Sequence, residues 1–304
     1  MHRKKTFLFI LSFLLLAFGI LALVFDVYYV ATGSMEPNLL PGDLVLVNNF
    51  SYGYRRVSGS EVQRYVQTGK VQRGDVILFN MPVGDSIYKN SPHISFFARV
   101  KDRSLAIALA DTLELGKIIS LDLKSRTPFF KRVIALARDT LELKDGQVFI
   151  NGYKFKEGKN IKPDTVATGQ GLVGLWDHKW VFPHDQGLNW GYYTFGPLVI
   201  PGKGDVLSLS LQNLPLYERL IRVYEGNRLT VEDGHIYING KPGSTYRVKQ
   251  DYFFVMGDNR KDSFDSRMWG LVPFDHVIGK ASFVLASQSE TRGFRKDRIL
   301  RPVD

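Results

Sequence analysis

Ser34 and Lys131 are the two residues whose types and surroundings best suit bond-breaking chemistry. Ser34 lies in Thr32-Gly33-Ser34-Met35-Glu36-Pro37, ahead of a Pro41-Gly42 turn. That tight, exposed backbone is one an extended substrate can reach. A Ser in such a setting is also an ordinary turn residue, and it is a weak nucleophile until a base takes its proton. Lys131 lies in Pro128-Phe129-Phe130-Lys131-Arg132-Val133-Ile134-Ala135. If this segment is a strand, alternation places Lys131 on one face with Phe129, Val133 and Ala135. An ammonium group on an apolar face is costly unless it is paired or neutral. Either the side chain snorkels to water at a strand edge, or burial lowers its pKa until it can act as a base.

Other chemistries fit less well. The chain has no cysteine, which excludes a thiol nucleophile, a disulfide framework and a Cys-based zinc site. No Gly-x-Ser-x-Gly stands in the sequence, and His93, His178, His184, His235 and His276 lack ligand spacing. A Ser-His-Asp hydrolase is therefore disfavoured, and no metal and no cofactor are expected.

Two more stretches bear on the site. Gly257-Asp258-Asn259-Arg260-Lys261-Asp262-Ser263-Phe264-Asp265-Ser266-Arg267 is dense in acids and bases, and taken alone it is a polar loop whose charges pair. Arg73-Gly74-Asp75-Val76-Ile77-Leu78-Phe79 is a turn entering a core strand.

The elements that must hold these residues are mostly strands. Short apolar runs entered through Gly-Asp turns predict strands at 44–47, 76–79 and 206–209. Further strands are predicted at 129–135, 147–151, 235–239, 252–256 and 281–285. One helix is predicted at 214–224, with Asn213 as N-cap, Pro215 in the first turn, and Leu216, Leu220 and Val223 on one face. Asp145–Gly152 and Asp233–Gly240 echo one another, each reading as a Gly turn, a strand and an Asn-Gly. Arg73-Gly-Asp-Val76 likewise echoes Lys203-Gly-Asp-Val206. If the echo is a duplication, Ile221-Arg222-Val223 falls where Lys131-Arg132-Val133 would be, and the lysine is lost. Two similar hairpins made for similar reasons would look the same. Residues 153–250, rich in aromatics such as Trp176, Trp180, Trp190, Tyr192 and Tyr193, then form a lobe inserted in the body.

The N-terminus sets the expected location. Residues 7–25 form an apolar run broken only by Ser12 and Gly19, preceded by His2, Arg3, Lys4 and Lys5. As a helix it spans roughly 28 Å, the thickness of a hydrocarbon core. The basic cluster predicts a cytoplasmic N-terminus and a translocated body. A cleavable signal peptide is the alternative, with Ala31-Thr32-Gly33 as a small-x-small site, but that site lies far beyond the apolar run. The net charge of +10 suits an anionic membrane surface, and no nucleic-acid-binding signature accompanies it.

Taken in order after such an anchor, the four stretches resemble the type I signal peptidase family of Ser-Lys peptidases. The Ser-Met-x-Pro box and the Gly-Asp-Asn-Arg…Ser-x-Asp-Ser-Arg box carry the resemblance. The stretch 217–227 looks like the Bacteroidota-type branch. The resemblance implies a mainly β fold: a single N-terminal transmembrane helix, then a coiled β-sheet catalytic body with an inserted α+β lobe. The expected division is 1–25 for the cytoplasmic N-terminus and anchor, and 26–304 for the extracytoplasmic peptidase domain. It implies a membrane-bound endopeptidase, monomeric, that cleaves signal peptides of exported preproteins after small-x-small motifs. Ser34 would be the nucleophile and Lys131 the general base. Thr32 would join the Ser34 N–H in the oxyanion hole, Ser263 would orient the lysine, and Asp265 and Arg267 would form a buried salt bridge beneath the site. Met35 would line the pocket for the residue before the scissile bond. The substrate would lie as an added strand near 26–30 and 127–130. Leu136-Ala137-Arg138-Asp139 departs from the Pro-Gly-Asp turn common in the family. Two other readings share some of these features. A soluble Ser-Lys self-cleaving repressor would lack the anchor, and a tethered β-domain binding envelope components would leave Lys131 structural.

Overall fold

The computed structural model describes residues 24–304 except 60, 67, 84–85, 159, 163–179, 186, 290 and 292, together with 6, 9, 10, 12, 13 and 19. Trp176 and His178 fall outside the described residues, as does most of the expected anchor. The described positions before Phe25 have helical backbone, and among the described residues no helix is long and apolar enough to cross a membrane. Phe25, expected to end the anchor, begins a strand instead.

The body is mainly β. One antiparallel sheet runs Phe25–Tyr29, Asp43–Asn48, Val277–Ser289, Val76–Asn80, Pro128–Ala135, Tyr252–Met256 and Val272–Pro273. Two of its interior strands, Val76–Asn80 and Tyr252–Met256, are buried at every residue, so they read as almost unbroken apolar runs. Asp43–Asn48 nearer the edge alternates, with Val45 and Val47 inward and Leu44 outward. Register shifts interrupt the pairing of Val277–Ser289 with both of its long neighbours, and such bulges bend and coil a sheet. Gly279 sits at one of them, where a Cβ would lie 2.5 Å from the Asn48 carbonyl oxygen.

Alternation holds for Lys131 only in part. Another bulge separates Phe254↔Ala135 from Val255↔Val133. Val133 consequently packs with Ile77, Phe79 and Trp269, while Ala135 joins Ile134 in a different cluster. The face expected to carry Lys131, Val133 and Ala135 together is divided at Ile134.

A second sheet begins ahead of the expected lobe at 153–250. Thr140–Lys144 and Gln147–Ile150 leave the main sheet and pair with Tyr153–Lys154 and Phe195–Val199, so the second sheet starts at Thr140. Its side chains share one core with the catalytic body: Leu141, Leu143, Phe195, Leu220 and Ile221 pack with Ile134, Phe254 and Met256.

The two echoing segments fold alike. Asp145-Gly146, Asn151-Gly152, Asp233-Gly234 and Asn239-Gly240 all take positive φ at both residues, the twist a two-residue hairpin needs. The second lysine position is not where the sequence placed it. Val76 and Ile77 pair with Arg132 and Lys131, whereas Val206 and Leu207 pair with Arg247 and Tyr246. Ile221-Arg222-Val223 instead lies in a π-helical turn, Leu220–Tyr224, that continues the helix Leu214–Arg219. Asn213 stands at the N-cap position of that helix, as expected, but its side chain makes no capping hydrogen bond. Its side chain accepts from the Ser210 N–H and donates to the Ser208 carbonyl. The widened turn also leaves Val223 exposed rather than on the buried face with Leu220. Residues 86–120 add a three-stranded sheet and three short helices that the sequence patterns did not mark.

Candidate active site

Ser34 is the middle residue of a single 3-10 turn, Gly33–Met35. The turn is fixed from below by Met35 and Leu39, both buried among Val30, Val45, Val76 and Phe130. It is held from the side by the loop after Tyr252–Met256. The Asn259 N–H donates to the Ser34 carbonyl at 3.0 Å, and Asn259 Nδ2 donates to the Gly33 carbonyl at 3.1 Å. Gly257 makes this approach possible, since a Cβ there would stand 2.4 Å from the Ser34 carbonyl oxygen and 2.3 Å from Ser263 Oγ.

Lys131 reaches this turn from the third face. Its Nζ lies 2.5 Å from Ser34 Oγ, and the residue is only 1 % exposed. Burial lowers its pKa from 10.5 to about 8. The Asp265 carboxylate works against that shift, and the Arg267 guanidinium works with it. An amine with that pKa is neutral in roughly a tenth of molecules at pH 7, where an exposed lysine is almost wholly charged.

The expected supporting residues meet at the site with two differences. Thr32 Oγ1 is 3.4 Å from Ser34 Oγ, on the exposed side of the turn. Asp265 and Arg267 form a buried bidentate pair, Nε to Oδ1 at 2.9 Å and Nη2 to Oδ2 at 2.8 Å. Burial alone would raise the Asp265 pKa, but Arg267 and then Lys131 bring it below the usual carboxylate value. Asp265 also accepts from the Gly257 N–H at 3.1 Å, which ties the pair to the loop holding Ser34. Ser263 differs from expectation. Its buried hydroxyl makes no hydrogen bond of good geometry with Lys131 or any other described group, though it lies close enough to Asp265 to favour the carboxylate. Met35 differs too, being buried in the core under the turn rather than open to a cleft.

The sequence reading assigned no role to a second buried network. Asp258 binds Arg132 Nε and Nη2, each at 2.7 Å, and accepts from Asn38 Nδ2 at 3.1 Å. It thereby links the residue beside Lys131 to the chain four residues past Ser34. Asp258 and Asn259 were visible as part of the Gly-Asp-Asn-Arg box, whereas nothing in the pattern around Asn38 marks it. Among the described residues no group of three or more His, Asp or Glu is placed to hold a metal ion.

Two strand edges flank this constellation. Among the described residues, Phe25–Tyr29 pairs with Asp43–Asn48 on one side only. Pairing of Tyr252–Met256 with Pro128–Ala135 begins at Arg132, so no described strand pairs with that side of residues 128–131.

Comparison with known proteins bears on the family. The family model "Signal peptidase, peptidase S26" matches residues 3–168 and 243–286. A signal peptidase I of Haemophilus influenzae is 27 % identical over 95 % of this chain and 73 % of its own length. One from Buchnera aphidicola subsp. Baizongia pistaciae is 23 % identical over 92 % of this chain and 76 % of its own. One from Aquifex aeolicus is 25 % identical over 86 % and 75 %. None of these three bears on the Bacteroidota-type branch. A crystal structure of a signal peptidase I from Enterococcus faecalis aligns with 70 % of this chain and 97 % of its own at 18 % identity, with a TM-score of 0.26. The family model covers more than half of the residues, and the chain belongs to the signal peptidase family, peptidase S26, and is a peptidase.

Proposed function

We propose that this chain is a membrane-anchored serine endopeptidase that removes signal peptides from exported preproteins after small-x-small sequences, with Ser34 as nucleophile and Lys131 as general base. The observation that carries the reading is the buried Lys131 Nζ lying 2.5 Å from Ser34 Oγ. The neutral amine takes the Ser34 proton as Oγ bonds to the scissile carbonyl carbon. The carbonyl π electrons move to oxygen, where the Ser34 N–H and the Thr32 hydroxyl stabilise the charge. Collapse of the tetrahedral species expels the new amino terminus, which leaves with the proton from the Lys131 ammonium. Lys131 then deprotonates a water that attacks the acyl-enzyme and returns the proton to Ser34. A lysine needs no carboxylate to fix a tautomer, unlike a histidine base. Asp265, Arg267 and Asp258 hold the loop and strand that carry these groups.

Extended substrate would add along the strand edges at Phe25–Tyr29 and residues 128–131, so that backbone hydrogen bonds give affinity and small pockets give selectivity. An anchor at residues 7–25 would place Ser34 within about 30 Å of the bilayer surface even in fully extended chain. Phe9, Ile10 and Phe13 are helical and largely exposed, which supports lipid as their surroundings. The anchored enzyme would act as a monomer on the extracytoplasmic side of the cytoplasmic membrane, with its N-terminus in the cytoplasm. Ser34→Ala and Lys131→Ala should each abolish cleavage of a preprotein while thermal unfolding stays close to that of the parent. Cleavage retained by either variant would refute the pair.

A further inference from the structure

The loop that holds Ser34 and braces the Lys131 site is gripped from outside by the inserted unit, and one side chain dominates that grip. Tyr192 is buried, and its hydroxyl donates to the Arg260 carbonyl at 2.6 Å and to the Ser263 carbonyl at 3.2 Å. Its ring lies against the Arg267 guanidinium, 3.6 Å from Cζ to the ring centroid. Arg267 Nη2 donates at 3.0 Å to the same Arg260 carbonyl and also binds Asp265. The Arg260 carbonyl is therefore a node where the inserted unit and the Asp265–Arg267 pair meet.

Neighbouring contacts repeat the pattern. Glu157 pairs with the buried Arg260 at 2.5 Å. The Lys162 N–H donates to the Asp258 carbonyl, and the Phe182 N–H to the Arg267 carbonyl, both at 2.9 Å. The Phe182 ring covers Gly270 so closely that a Cβ there would stand 2.4 Å from it. All of these contacts fall on residues 258–270, between the loop that clasps Ser34 and the end of the short helix Ser266–Trp269.

We propose that Tyr192 is a positioning residue for the peptidase reaction, its hydroxyl fixing the 260–263 backbone and its ring holding Arg267 on Asp265. The inference rests on the Ser34–Lys131 reading above. A buried guanidinium needs a partner for its face as well as its edges, and an aromatic ring supplies one. If Arg267 moves off Asp265, that carboxylate is less neutralised and favours the Lys131 ammonium, so more of the base is protonated at a given pH.

The test uses the full chain in lipid vesicles, with steady-state kcat and KM for a signal-peptide substrate and single-turnover cleavage at saturating enzyme, each followed across pH. Tyr192→Phe keeps the ring and bulk and drops the hydroxyl. It should lower kcat by about 3- to 10-fold with KM little changed. Tyr192→Leu drops the ring as well and should move the rising limb of the pH profile to higher pH. Should Tyr192→Leu fail to fold, Tyr192→Phe decides alone, because the single-turnover rate constant at saturating enzyme does not depend on the fraction of folded enzyme. If the parent shows its limb and Tyr192→Phe matches the parent in kcat and limb, or changes KM only, the positioning role is overturned. A parent with no such limb would remove the lysine-base reading, and this inference with it.

Discussion

Asp258 and Arg132 face each other through two hydrogen bonds of 2.7 Å, wholly inside the protein, and Arg132 is the chain neighbour of Lys131. Arg132 also donates to the Gly74 carbonyl, so this one pair anchors the Lys131 strand to both the Gly74 turn and the Ser34 loop. Breaking a buried pair from one side strands the other charge. Asp258→Ala should cost about 3–5 kcal/mol in denaturant unfolding, with Asp258→Asn milder because it keeps one acceptor. Unfolding midpoints equal to the parent's would show that the pair is not what holds the strand.

Gly257 offers a sharper steric test. A methyl group there would meet the Ser34 carbonyl and the Ser263 hydroxyl at 2.4 and 2.3 Å, so the turn or the loop must shift. Gly257→Ala should lose cleavage by roughly 10²-fold or more, since a 1 Å misplacement of reacting groups can cost that much. Gly158→Ala, where a Cβ meets nothing within 4 Å, is the matched control and should cleave like the parent. Equal activity in both variants would mean that Ser34 is not clasped as described.

Thr32 Oγ1 stands close enough to the nucleophile to reach a developing oxyanion. Thr32→Ser should stay active, while Thr32→Val, which keeps the shape and loses the donor, should drop kcat by about 10²–10³. A Thr32→Val rate equal to the parent's would show that the hole is built from backbone alone.

For topology, protease added outside spheroplasts should digest the body and leave the N-terminus protected, with the protein sedimenting with membranes. Recovery of a soluble form beginning at Ser34 would show instead that Ala31-Thr32-Gly33 is cleaved.

Much of this was legible in the residues. Strands such as Val76–Asn80 and Tyr252–Met256 announce themselves because they are buried on both faces and bounded by turns. Ser34, Lys131, Asp265 and Arg267 were visible through the resemblance of their stretches, above all the Ser-Met-x-Pro and Gly-Asp-Asn-Arg…Ser-x-Asp-Ser-Arg boxes, to the signal peptidase family. What was hidden depends on register and long-range packing. The bulge beside Ile134 parts Val133 from Ala135, and no local pattern signals an extra residue in a ladder. The start of the second sheet at Thr140 was not legible because its strands use the same apolar residues as the body and share its core. Tyr246, which stands opposite Leu207 as Lys131 stands opposite Ile77, could not be found from the echo, because its strand follows the second hairpin set rather than preceding it.

The central claim is that a buried, largely desolvated lysine is the base, and the pH dependence of kcat/KM for the parent enzyme tests it most directly. Only the neutral amine can take the Ser34 proton, and burial has brought the Lys131 pKa to about 8. Below that value the neutral fraction falls tenfold per pH unit, and above it the amine is mostly neutral. The profile should therefore rise with pH along a single limb centred near 8 and then level off. A profile already flat from about pH 6 upward, or a limb centred near the ordinary histidine value of about 6.5, would contradict the account.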